Sequence, residues 1–293
     1  MVQPAAASSD TVSLPDWREG PPAAVLEAIV WRTALCAAVE RQATWTVTVQ
    51  RHAAVDLPRL EPLRVAALDL RALTWAEQGG GAACESLLRS PSFQASSAPH
   101  LRSAVGVPER LAGILAAGFP RLEAVGLCSD YDSEGFGQAG GKGHLAPMAL
   151  APLAPLRALR ALSLELGVAD LAALPPGITS LTLMDVDRIV LPPAEGASVT
   201  DRLMEVVATA GLRSLTLQAA SGCLVFEEPQ KAPMELELSH AARLLAGGGS
   251  TNDPGWAVQL GLCNDGWRRV PQLGLSWRRA VPVAGQAATD ALG

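Results

Sequence analysis

A short pattern recurs along this chain: an apolar residue, two others, an apolar residue, one other, and a third apolar residue. It reads VAALDL (Val65, Leu68, Leu70), LEAVGL (Leu122, Val125, Leu127) and LRALSL (Leu159, Leu162, Leu164). It returns as ITSLTL (Ile178, Leu181, Leu183) and LRSLTL (Leu212, Leu215, Leu217). MELEL ends in Leu236 and Leu238, AVQLGL in Leu260 and Leu262, and VPQLGL carries Val270, Leu273 and Leu275. The last two apolar residues of each copy alternate, so an extended chain puts both on one face of a short strand. Helical spacing fills several of the gaps. SVTDRLMEVVATAG sets Leu203, Val206, Val207 and Ala210 on one face, with a Ser198/Asp201 capping box before them and Gly211 after. PERLAGILAAG (108–118) and SHAARLLAGG (239–248) have the same form. Strand, helix, strand in this order implies parallel strands joined by crossovers, an α/β class.

With the middle apolar residue as marker, the copies fall at 68, 125, 162, 181, 215, 236, 260 and 273. On these residues the chain resembles the leucine-rich repeat family over roughly 60–275, a family whose period is roughly 20–29 residues. The intervals are unequal, and the family's inward Asn or Cys after the strand is missing. The resemblance therefore implies an irregular leucine-rich-repeat solenoid with parallel strands. The widest interval has room for a degenerate strand at LRSAVGV (101–107). Asn264-Asp265-Gly266 between the last two copies predicts a C-terminal hairpin, which would cover the open sheet edge.

Ahead of the repeats, Pro21 and Pro22 can open a helix whose face is Leu26, Ile29, Val30, Thr33, Cys36 and Val39. A strand with alternating Trp45, Val47 and Val49 follows. This is an N-terminal helical cap for the first core layer. The segment also resembles an F-box through Pro22, Val25, Leu26 and Ile29, and then Val39, Arg41 and Trp45, with a shorter middle than that family has. The expected organisation is a disordered tail (1–20), the helical cap with its F-box-like character (21–50), the solenoid (51–278) and a second disordered tail (279–293).

CSDYDSEGFGQAGGKGH (128–144) carries fragments of three ligand motifs. A calcium loop starting at Asp130 needs a bidentate Glu at its twelfth position, which is Gly141. A dinucleotide fingerprint from Gly135, Gly137 and Gly140 needs a strand directly before it and a helix after it, and neither pattern is there. A phosphate loop ending at Gly141-Lys142 lacks its first Gly, replaced by Phe136, and its Ser/Thr, replaced by Gly143. The stretch reads as a surface loop. His52, His100, His144 and His240 stand apart from any nucleophile motif, and G-x-S-x-G is absent. Cys128 and Cys263 follow strand leucines and are expected to face outward. No metal or cofactor is expected.

The net charge of −6 and the lack of a basic patch interleaved with aromatics argue against nucleic acid. No apolar run reaches the roughly 20 residues of a membrane span, and no secretory leader opens the sequence. Cys36, Cys84, Cys128, Cys223 and Cys263 are scattered, as in reduced intracellular proteins, cytoplasmic or nuclear. The reading is a non-enzymatic protein-binding scaffold, with a protein or peptide held on the concave face of the solenoid. The strand positions between the leucines would form that face: Asp69, Arg71, Ser163, Glu165, Thr182, Met184, Thr216, Gln218, Glu237 and Ser239. The alternatives are an F-box-like adaptor, whose helix would dock a ubiquitin-ligase core, and an enzyme of unrecognised type.

Overall fold

Apolar alternation becomes a set of short strands, each with one face in a core. The computed structural model describes residues 10–13, 44–49, 57, 60–76, 80–129, 146–193, 198–219, 223–227, 234–237, 256–263 and 272–279. They divide into two compact units, one of residues 1–165 with 175–177 and one of residues 166–174 with 178–293.

In the first unit β1 (Asp10–Ser13), β2 (Thr44–Thr48), β3 (Arg64–Asp69), β4 (Ser103–Pro108), β5 (Ala124–Cys128) and β6 (Ala161–Glu165) pair in sequence order. Every pairing is parallel. α1 (Arg71–Ala76), α2 (Gly80–Arg89) and α3 (Pro91–Ser97) connect β3 to β4, and α4 (Ala112–Gly118) lies between β4 and β5. Register lines up like with like: Val47 beside Leu68, Val125 beside Leu162, Leu127 beside Leu164. All six are buried, and each such side chain contributes roughly 1.5–3 kcal/mol by leaving water. Phe93 of α3 meets Phe119 with ring centroids 5.8 Å apart, a tilted pair.

The three-residue step inside the repeated pattern has two structural origins. In β3, Val65 and Leu68 would fall on opposite faces of a regular strand. A register shift leaves Ala66 unmatched, since Trp45 faces Val65 and Thr46 faces Ala67, and both apolar side chains stay buried. In four other copies the first apolar residue sits just before the strand, where Leu122, Leu159, Ile178 and Leu212 are all buried. A second shift, in β4, centres on Gly106 at φ 69°. A Cβ there would lie 2.3 Å from the backbone nitrogen of Arg71, so only glycine fits.

The second unit holds β7 (Val168–Asp170), β8 (Ser180–Met184), β9 (Arg188–Val190), α5 (Val199–Thr209), β10 (Ser214–Ala219), β11 (Cys223–Glu227), β12 (Met234–Glu237), β13 (Trp256–Cys263) and β14 (Gln272–Arg279). β8 and β10 are parallel, with Leu181 beside Leu215 and Leu183 beside Leu217. β14 runs antiparallel to β10, and β13 antiparallel to β14. A separate sheet has parallel β7, β9 and β11, with β12 antiparallel at its edge. Leu166 (φ 57°), just before β7, and Asp185 (φ 48°), just after β8, take left-handed backbone. Their N–H groups donate to the carbonyls of Met184 and Gln218 at 3.1 and 2.9 Å. Asp185 thereby turns the chain out of β8 toward β9 in the other sheet.

These features correct the expected irregular leucine-rich-repeat solenoid, for which an N-terminal helical cap and a C-terminal hairpin were also expected. The class is α/β with parallel strands, but the chain is two compact units, and its second sheet is mixed. The reason lies in the connections. Among the described residues of the second unit only α5 is an α-helix, and the steps from β8 toward β10 also pass through the short strand β9. The L-x-L pattern marks the strands without dictating uniform crossovers. The cap helix and the strand-leading segment 239–248 lie outside the described residues, as do 14–43 as a whole. β1 lies within the stretch 1–20 read as a tail. LRSAVGV forms β4, and β13 and β14 pair antiparallel on either side of Asn264-Asp265-Gly266.

Candidate functional site

Alternation that buries leucines on one side of each strand leaves the residues between them on the other side. On β8 and β10 these are Ser180, Thr182, Ser214, Thr216 and Gln218, all half-buried. Register sets Ser180 beside Ser214, Thr182 beside Thr216 and Met184 beside Gln218. The result is a two-strand row of hydroxyls ending in an amide.

The expected site residues divide between the units. In the first, Asp69 and Arg71 are half-buried and bound to each other. Arg71 Nη2 lies 2.7 Å from Asp69 Oδ2, and the Arg71 backbone N–H and Nε both donate to Asp69 Oδ1 at 3.1 Å. Ser163 is half-buried and donates to Glu165 Oε1 at 3.3 Å. Glu165 itself is only 1% exposed, and Met184 in the second unit is also buried, so neither is displayed as the sequence reading expected. Both are the final residue of their strand, where the inside-outside alternation ends. Thr182, Thr216 and Gln218 share the row just described. Glu237 is exposed on β12, in the other sheet, away from that row by topology. Ser239 lies outside the described residues.

Cys128 is buried rather than outward-facing, because the opposite face of β5 is also covered. The Val105 side chain closes over Gly126 there, with its Cβ 3.0 Å from where a Cβ on Gly126 would sit. The glycine-rich stretch 130–145, His52, His144 and His240, and residues 22–43 of the F-box-like segment lie outside the described residues, as does the Cys263 side chain.

Sequence reasoning treated His100 as isolated. It stands in a group of cations. Burial and the charges of Arg64, Arg102 and Arg121 hold its imidazole below the usual histidine range. The signal was present but spread out. An arginine adjoins the turn leucine before β3, β4 and β5 alike, as Leu63-Arg64, Leu101-Arg102 and Arg121-Leu122. Only strand pairing brings the three together.

Among the described residues no group of three His, Cys, Asp or Glu side chains is placed to hold a metal ion, and no helix is long and apolar enough to cross a membrane. Compared with known protein families the chain matches no family model, and comparison with curated proteins gives no match.

Proposed function

We propose that this chain is a non-enzymatic protein-binding scaffold that holds a protein or peptide against the polar row of β8 and β10. The observation supporting this reading is the composition of that row. Parallel strands are ordinarily covered on both faces and apolar on both. Here the face opposite the leucines carries Ser180, Thr182, Ser214, Thr216 and Gln218, half-buried and polar. Short hydroxyls lose little rotamer entropy on contact and can donate or accept, which suits recognition of a polypeptide. The acidic balance of the whole chain favours such a partner over nucleic acid. We place the scaffold inside the cell, in cytoplasm or nucleus, a reading supported by five cysteines scattered along the sequence with no C-x-x-C spacing.

The test is capture from a lysate by the full chain and by Thr182→Arg/Thr216→Arg. Both positions are half-buried, so the melting temperature of the variant is measured alongside capture. Two arginines across the centre of a contact should remove most of the specifically captured protein. An unchanged captured set, with unchanged stability, rejects the row as the recognition surface.

A further inference from the structure

We propose that the hollow between α3 and the residues entering β3 is a binding site for a phosphomonoester dianion. The hollow measures about 660 Å³ and is lined in part by Glu61, Arg64, Ser92, Ser96 and His100. That is within the roughly 300–1,000 Å³ of small-ligand sites. Two further cations are linked to its wall by hydrogen bonds. Arg121 Nη1 donates to the carbonyl of Pro99, a wall residue, at 3.2 Å, and Arg102 Nη1 donates to the Arg121 carbonyl at 3.4 Å. Backbone bonds fix the frame beneath them: His100 N–H to Ser97 O at 2.9 Å and Arg102 N–H to Ala66 O at 2.7 Å.

The charges decide the ligand class. Arg64 shares the wall with His100, and the charges of Arg102 and Arg121 also act on that imidazole, in a chain whose net charge is −6. Two carboxylates stand near. Glu61 is in the wall, and Glu123 meets Arg102 at 3.5 Å, a pair that is 59% and 40% exposed and so weakly held. A monoanionic carboxylate would engage one fork. A phosphomonoester dianion presents enough oxygens for several guanidiniums at once, each able to bond bidentately. The exposed Ser92 hydroxyl adds a donor, whereas Ser96 Oγ is already committed to the carbonyls of Glu61 and Phe93. Burial, and then the three arginines, lower the His100 pKa, and a bound dianion would offset the arginines' share and raise it.

The chemistry fits inorganic phosphate or a phosphorylated side chain of another protein, and the experiment distinguishes them. The full chain is titrated at matched ionic strength with chloride, inorganic phosphate, a phosphoserine peptide and its unphosphorylated form. Heat of binding and the NMR titration of the His100 imidazole are followed. The expected result is saturable binding of phosphate or phosphopeptide, with the His100 pKa rising on saturation. Arg121→Gln should weaken it about tenfold, as for loss of one charge-assisted hydrogen bond. Ser92→Glu, at an exposed helix position, should abolish binding without changing the melting temperature. Tighter binding of the phosphopeptide assigns the ligand to a phosphorylated protein, and equal or weaker binding assigns it to the free anion. A His100 shift that fails to saturate and equals the shift in chloride overturns the site. So does wild-type affinity in both variants.

Discussion

Ser97 has no exposed surface, and its hydroxyl serves two backbone groups at once. It donates to the Leu63 carbonyl at 2.8 Å and accepts from the Val65 N–H at 3.1 Å. The residues entering β3 are thereby stitched to the end of α3, thirty-odd positions later in the chain. Ser97→Ala removes one oxygen and orphans a buried donor and a buried acceptor. It should cost roughly 1–3 kcal/mol in urea unfolding, well beyond what its small volume would suggest. A loss under half a kilocalorie, about the size of a surface change, would mean water replaces the hydroxyl. Leu181, buried beside Leu215, tests the apolar side of the argument in the second unit. Leu181→Ala should cost roughly 2–5 kcal/mol, depending on how far the site collapses.

Among the elements, α5 is the one whose limits were legible in the sequence. Ser198 Oγ accepts from the Asp201 N–H at 3.1 Å, and Asp201 Oδ2 accepts from the Ser198 N–H at 3.2 Å and from its hydroxyl at 2.6 Å. Gly211, at φ 69°, follows the C-terminal end. The Ser198 hydroxyl, and then its backbone N–H, hold the Asp201 carboxyl below its ordinary value of 3.8. A carboxyl depressed by folding stabilises the fold above the unfolded value and loses that contribution as pH falls through the folded one. Ser198→Ala should therefore lower the melting temperature at neutral pH, and the difference from wild type should narrow as pH falls below 3.8. A gap that stays constant down to about pH 2 would separate Asp201 from the cap. The strands carrying Leu162, Leu181 and Leu215 were legible for the same reason: alternation is a local property. β7 and β9 were not, because three residues contain no period. α2 was not legible, because it begins with Gly80 and Gly81, residues that disfavour helix. The close approach of Gly80 to the Leu73 carbonyl, where a Cβ would lie 2.3 Å away, is what calls for glycine there. The cationic group around His100 was illegible because its members are joined only through pairing of β3, β4 and β5.

For the molecule as a whole, protection should follow position within each sheet. β5 is paired on both sides, and its Val125 and Leu127 are at most 1% exposed. β12 is the edge of its sheet, with Met234 43% exposed and Glu235 and Glu237 open to solvent. Native-state hydrogen exchange should find the β5 amides among the slowest and the β12 amides among the fastest of the strands. Comparable rates in the two would contradict the pairing described. Strand order has one more consequence, for synthesis. In the first unit each strand pairs with the one made just before it, so the nascent chain can assemble that sheet as it leaves the ribosome, N-terminal part first. The second unit cannot proceed this way. β10 pairs with β14, not with the earlier β13, so one edge of β10 has to wait until residues 272–279 have been translated. During that interval the growing polypeptide carries an open strand, which closes only once β14 has been made.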